Sequence, residues 1–287
     1  MLLLKNLTSL AVGHSFIYTE TFKGIKMKRK IYLLLPFIFA TFVNNSVAQE
    51  PETEKTFSVI QEKRIGEIAA DYLRAHPEIL IQMSEKLQQE QEEKQSRGLT
   101  SAALAQQAKI LGDKTIPSWG PADGDVMVVE FFDYQCIWCS RFAPELEKVI
   151  KNNTKVRYFF MEWPVFGSRW PASLLAAKTG LQVWKGQGAE AYLKYHNGLY
   201  GTGLNEGKLT KGDIEKTSGG ISFQPQTIEE INTTLKNIND IATETGLTGT
   251  PGIIVLPVKG ATVENITVFT GMTEAENIQS AINKSRH

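Results

Sequence analysis

Residues 128–139 read Val-Val-Glu-Phe-Phe-Asp-Tyr-Gln-Cys-Ile-Trp-Cys. The run from Val126 to Phe132 is β-branched and aromatic, which predicts a strand. Beyond Cys139, the apolar residues Phe142, Leu146, Val149 and Ile150 recur at helical spacing. Cys136 and Cys139, the only two cysteines in 287 residues, therefore sit where a buried strand turns into a helix. Unpaired N–H groups and the helix dipole favour a thiolate at such a terminus. The thiolate is the form that attacks a disulfide. That placement exposes Cys136 as the attacking group, and Cys139 lies one turn along, within reach to resolve a mixed disulfide.

Other readings of the pair fit less well. A zinc site lacks ligands, because the three later histidines, His76, His196 and His287, are all distant in sequence. A purely structural disulfide closes too small a loop to contribute much stability. The expected redox group is the Cys136–Cys139 disulfide itself, with no metal and no other cofactor.

Glu130 stands in the middle of the predicted strand, facing the same side as Phe132. A carboxylate there is costly unless it has a partner or a task. Buried behind the cysteines, it could accept or relay the proton of Cys139. On an edge strand it would simply point into solvent. Pro144 either kinks the helix that follows the cysteines or ends it.

Working outward, a second strand is predicted near Val156–Met161, then mostly helix from about Trp170 to Thr245, interrupted by the Gly-rich stretch from Gly201 to Gly212. Residues 201–220 read as a flexible surface turn. Trp163, Phe166 and Trp170 either line a client groove or pack in the core. Thr250-Pro251 opens a third strand through Leu256, since proline fits a strand start. Val263–Phe269 reads as a fourth strand. A capping box of Thr273 and Glu276 opens the last helix, with Ile278, Ala281 and Ile282 facing inward. Strand, helix, strand, helical excursion, strand, strand, helix is the order of an α/β thioredoxin fold with a helical insertion at about 170–246.

Residues 49–112 differ in texture. Ile65, Ile68, Ala69, Tyr72 and Leu73 mark one amphipathic helix, and Pro77 opens a second with Leu80, Met83 and Leu87. The pattern resumes weakly after Gly98 through Leu104, Ile110 and Leu111. Two or three helices with a thin apolar stripe make no core alone, so the stripe packs on this chain or on a second copy. A solvated helical linker is the other reading.

Residues 1–48 read as a secretion leader, with translation starting at Met27 and cleavage after Ala48. Lys26, Lys28, Arg29 and Lys30 precede an apolar run from Ile31 to Val43, which at 13 residues is short for a membrane anchor. The remaining chain carries 25 basic and 30 acidic residues, a net charge of −5. With no basic run, it is a poor nucleic-acid binder. An exported chain with no further cysteine is not a disulfide-stapled scaffold.

The segment 128–139, with Pro144 and Gly249-Thr250-Pro251, resembles the DsbA-type branch of thioredoxin-like proteins over roughly residues 113–287. The resemblance implies Cys136 as nucleophile, Cys139 as resolving cysteine and Glu130 as buried acid. It also implies that Thr250-Pro251 forms the cis-proline loop, which faces clients together with Ile137 and Trp138. The N-terminal helices resemble those of an oligomeric subgroup that includes the copper-tolerance ScsC proteins, whose N-terminal segment forms a dimer or trimer. Threonine before the proline resembles the isomerase-like DsbC and DsbG proteins, where DsbA has valine.

These likenesses imply a periplasmic or secreted thiol–disulfide oxidoreductase that forms or isomerises disulfides in exported, cysteine-containing clients. It would be a homo-dimer or homo-trimer through residues 49–112, served by an oxidising or reducing membrane partner. A dedicated oxidase and a chaperone-like holder of unfolded clients are the alternatives. The Ile137-Trp138 dipeptide departs from the usual Pro-His, Pro-Tyr or Gly-Tyr. Losing the histidine removes a cation beside Cys136, which implies a couple less oxidising than that of DsbA. No Met-rich or His-rich run suggests copper storage.

Overall fold

The computed structural model of the chain describes residues 56–221 and 227–287. The expected leader, its start and cleavage sites, and residues 49–55 lie outside them. Five strands form one mixed sheet in the order β1 (Ser118–Trp119), β3 (Val156–Glu162), β2 (Val126–Phe132), β4 (Gly252–Pro257), β5 (Thr267–Phe269). The strand that carries Glu130 is central: β2 pairs with β3 in parallel and with β4 antiparallel, placing Glu130 opposite Phe160 and Ile253. All of its residues are buried, which removes the solvent-facing reading of Glu130.

The two-residue period of β2 sorts its side chains between two cores. Val126, Val128 and Phe132 join the core built by helices α3 (Ile137–Asn152), α4 (Pro171–Gly201) and α7 (Ala275–Ser285). Met127, Val129 and Phe131 join the opposite one, built with α2 (Glu78–Gly112) and α6 (Ile228–Thr245). Glu130 thus lies on the α3–α4 side, the face shared with Phe132.

Helix α1 (Val59–Ala75) has no buried residue. Helix α2 begins directly after Pro77 and runs unbroken through Gly98 for 35 residues. It has two distinct parts. Leu80, Met83 and Leu87 are exposed, as are Ile65, Ile68 and Tyr72 of α1. From Thr100 onward the helix is built into the domain, with Ala103 and Ile110 in the second core. Gln107 Nε2 also donates to the carbonyl of Pro257, at 2.6 Å.

Several local expectations change. Helix α3 continues through Pro144 to Asn152, so the proline does not end it. The strand expected from Val263 starts only at Thr267. A turn occupies the residues before it, with Asn265 Oδ1 accepting from Thr262 N and Thr262 O accepting from Asn265 N. Helix α7 has no Thr273–Glu276 capping box. Its N-cap is Glu274, and Glu145 of α3 accepts from Ala275 N in place of a local side chain. The stretch 201–220 is not a bare turn either. It contains α5 (Lys211–Thr217), opened by a reciprocal capping box between Thr210 and Asp213. Helix α4 changes direction at Gly188, whose φ of 79° favours glycine.

Candidate functional site

Cys136 is the N-cap of α3, with extended backbone, and Cys139 lies in its first turn. Both are free thiols. The loop before β4 closes over them: the Thr250–Pro251 bond is cis, as the resemblance implied, and Cys136 Sγ lies 3.3 Å from the Thr250 carbonyl oxygen. Cys136 is consequently only 4% exposed and Cys139 fully enclosed. The expectation that the helix terminus exposes Cys136 fails because this loop covers it.

The environment divides the roles of the two thiols. A hydrogen bond from Cys139, contacts with Thr250 and N–H groups of the first helical turn lower the pKa of Cys136 to about 6. Burial pushes that of Cys139 well up, and the nearby charge of Glu130 adds to the effect. One sulfur is an attacking thiolate at neutral pH; the other keeps its proton until a base takes it. The Cys136 pKa is lowered by hydrogen bonds and backbone N–H dipoles, from Cys139, Thr250 and the first helical turn.

Trp138 is 51% exposed beside the pair, with the Arg141 guanidinium 4.8 Å from its ring centre. Trp163 is core, its indole N–H donating to Asn239 Oδ1 at 3.1 Å. Phe166 packs at the margin of the first core, 5.2 Å from Trp170.

Further groups surround the pair that sequence reasoning did not single out. Asp133, at the end of β2, accepts from Gln135 N, Phe166 N and Ser173 Oγ at 2.7–2.9 Å. This anchors the turn that presents Cys136. Gln135 ties the same turn to the insertion, accepting from Glu206 N at its carbonyl and from Gly207 N at its side chain. Glu162, the last residue of β3, accepts from Tyr134 and Tyr192 hydroxyls at 3.0 and 2.8 Å, while burial pushes its pKa well up. His196 of α4 places Nε2 3.6 Å from Glu130 Oε2. A carboxylate in an apolar strand is the signal that would have found Glu162, as it found Glu130. No comparable signal marks His196.

A Cβ on Gly180 would collide with Glu162 Oε1 and press the Tyr195 ring. Gly180→Ala is therefore expected to destabilise the protein by about 2 kcal/mol through overpacking, read as a lower denaturation midpoint.

Comparison with known proteins agrees with this geometry. Residues 112–272 match the family described as thioredoxin, and residues 61–94 match the N-terminal domain of copper resistance protein ScsC. Salmonella enterica Typhimurium BcfH is 38% identical, with a TM-score of 0.69, over 80% of this chain and 97% of its own. A linker-deletion and N6K mutant of Proteus mirabilis ScsC is 23% identical, with a TM-score of 0.55, over 81% and 98%. The thiol-disulfide exchange protein alpha-DsbA2 from Wolbachia pipientis is 21% identical, with a TM-score of 0.54, over 66% and 96%. No curated protein matches the chain.

Proposed function

The chain belongs to the thioredoxin-like thiol–disulfide oxidoreductases, and from that premise we propose that it forms and isomerises disulfides in exported proteins as an oligomer. The observation that carries this reading is the asymmetry of the pair. Cys136 is ionised near neutrality beneath the Thr250–Pro251 loop, and Cys139 is protonated and enclosed behind it.

The Cys136 thiolate attacks a client disulfide, forming a mixed disulfide and releasing one client sulfur as a thiolate. Either a second client thiolate then displaces Cys136, which rearranges the client, or Cys139 displaces the client and closes the Cys136–Cys139 bond. Glu130 takes the Cys139 proton in that second course. From the disulfide form the course reverses: a client thiolate opens the Cys136–Cys139 bond, a second client thiolate displaces Cys136 and the client is oxidised, after which a membrane redox partner resets the pair. Trp138, Ile137 and the Thr250–Pro251 loop form the surface that meets the client chain. The exposed apolar positions of α1 and α2 support assembly as a dimer or trimer through residues 49–112, since such a stripe needs a covering partner. The leader-like sequence supports export to the periplasm or beyond. Among the described residues, no helix is long and apolar enough to cross a membrane.

The deciding experiment compares reactivation of a scrambled multi-disulfide substrate with oxidation of a reduced one, using residues 49–287. Reactivation without added thiol catalyst is the expected result. Oxidation alone would make the protein a dedicated oxidase. Undiminished suppression of client aggregation and undiminished rescue in cells by Cys136→Ala would make it a holder.

The Ile137-Trp138 dipeptide carries its own prediction. Trp138→His restores a cation beside Cys136. It is expected to lower that thiol's pKa by about one unit and raise the reduction potential by ~30 mV, measured by alkylation against pH and by glutathione titration. The parent couple is expected to be less oxidising than that of DsbA in the same titration.

A further inference from the structure

Three acids are buried around the cysteines: Glu130, Asp133 and Glu162, at 1%, 2% and 1% exposure. They are not equally supported. Asp133 accepts three hydrogen bonds and Glu162 two. Neither carboxyl oxygen of Glu130 has a hydrogen-bond partner. No Lys or Arg is among the described buried residues, and His196 is the one buried side chain there that can become a cation.

His196 is held for that position. The rings of Phe132, Phe160 and Tyr200 stand about it with centroids 4.9–5.0 Å away, and Tyr134 and Tyr192 lie slightly further off. Its Nδ1 lies 3.0 Å from Asn197 Oδ1 and its Nε2 lies 3.6 Å from Glu130 Oε2; in the tautomer that donates to Asn197, Nε2 turns its lone pair to Glu130. A bare Nε2 lone pair against a bare carboxylate would be repulsive in this low-dielectric site. One proton between them removes the conflict. Placed on Glu130 or on His196, it leaves the pair with zero net charge. Among the described residues no group of three or more His, Cys, Asp or Glu could hold a metal ion, so ligation does not account for the arrangement.

We propose that His196, as a cation beside Glu130, holds and charge-balances the carboxylate that takes up the thiol proton when Cys139 attacks a mixed disulfide. The inference rests on the exchange reading above. In the ion-pair form, the Cys139 proton moves to the Glu130 carboxylate, leaving a neutral acid and an imidazolium opposite the new thiolate. The thiolate attacks Cys136 Sγ; the Cys139–Cys136 bond forms and the bond from Cys136 to the client sulfur breaks. The client leaves as a thiolate and takes up the extra proton. His196 acts through Glu130 and is a positioning residue. The other ionisable groups about the pair are Cys139 on α3, Glu162 on β3, Asp133 and Tyr134 after β2, and Tyr192 and Tyr200 on α4. All are acids, with pKa values raised by burial, so none competes as the cation.

The test uses the reduced full chain and 5,5′-dithiobis(2-nitrobenzoate) in stopped flow between pH 5 and 9. The first burst of released thiol reports attack by Cys136, and the second reports resolution by Cys139. In His196→Gln the second phase is expected to slow about tenfold at pH 7, with its pH midpoint displaced upward and the pH midpoint of the first phase in place. A folded His196→Gln whose second phase keeps the parent's pH profile overturns the inference. If that variant does not fold, ¹⁵N spectra of the parent imidazole decide. Nε2 protonation is expected to differ between dithiol and disulfide forms, and an identical spectrum overturns the inference. A parent chain that shows no first burst would instead bring down the exchange reading, and this inference with it.

Discussion

Cys136→Ser is expected to lower thiol–disulfide exchange by at least ~10³-fold, because a serine hydroxyl neither ionises near neutrality nor forms a mixed disulfide. The parent rate should be half-maximal near pH 6, the pKa of Cys136, and should fall away below it. The same ionisation bears on stability. The group's folded pKa is depressed below that of an ordinary thiol, so the reduced protein gains stability that is fully present above about pH 8.5. This contribution is lost as pH falls through about 6. Unfolding of the reduced parent and of Cys136→Ser across that window measures it. Cys139→Ser has the complementary outcome: attack survives, resolution does not, and client stays bound through Cys136. Mass spectrometry of the complex trapped from a scrambled substrate is expected to show one client per active site.

The second large effect concerns where the chain can be cut. A chain beginning at Gln95 keeps the part of α2 that is built into the domain and removes the exposed apolar part. It is expected to keep the Cys136 thiol reactivity of the parent while losing most reactivation of the scrambled substrate, with a lower mass in sedimentation. A cut at residue 113 does something different. It strips Ala103 and Ile110, each 1% exposed, from the core beneath β2. Losses of that kind cost ~3 kcal/mol or more. Only the earlier cut separates assembly from stability, and equal reactivation by the Gln95 chain would dissociate isomerisation from the N-terminal helices.

The contrast shows what local sequence reveals. The strand Val126–Phe132, the cysteines at the following helix and the Pro251 loop are legible because each is a run of neighbours with its own chemistry. Glu130 was legible by contradiction, a charge in an apolar run. His196 was not, because its partner lies 66 residues earlier in sequence and only the packing of α4 on β2 brings them together. Strand β1 is two residues long next to prolines and has no periodicity to read. At residues 263–266 β-branched composition yields to a turn closed by Asn265, and at α7 the local capping pattern yields to Glu145 from another helix. A local turn wins at 263–266 and tertiary contacts win at β1 and α7, each against a propensity of a few tenths of a kcal/mol.

The break at Gly188 matters for anyone wishing to transplant this chemistry. After it, α4 carries the buried side chains of Tyr192, His196 and Tyr200, with His196 set against Phe132 and Glu130 of β2. The helical excursion is thus not an ornament that a minimal scaffold could shed. Grafting Cys-Ile-Trp-Cys onto a bare thioredoxin domain would import the reactive sulfurs without the α4 side chains that pack against Glu130. The transferable unit is the motif together with an insertion that begins some thirty residues downstream of it.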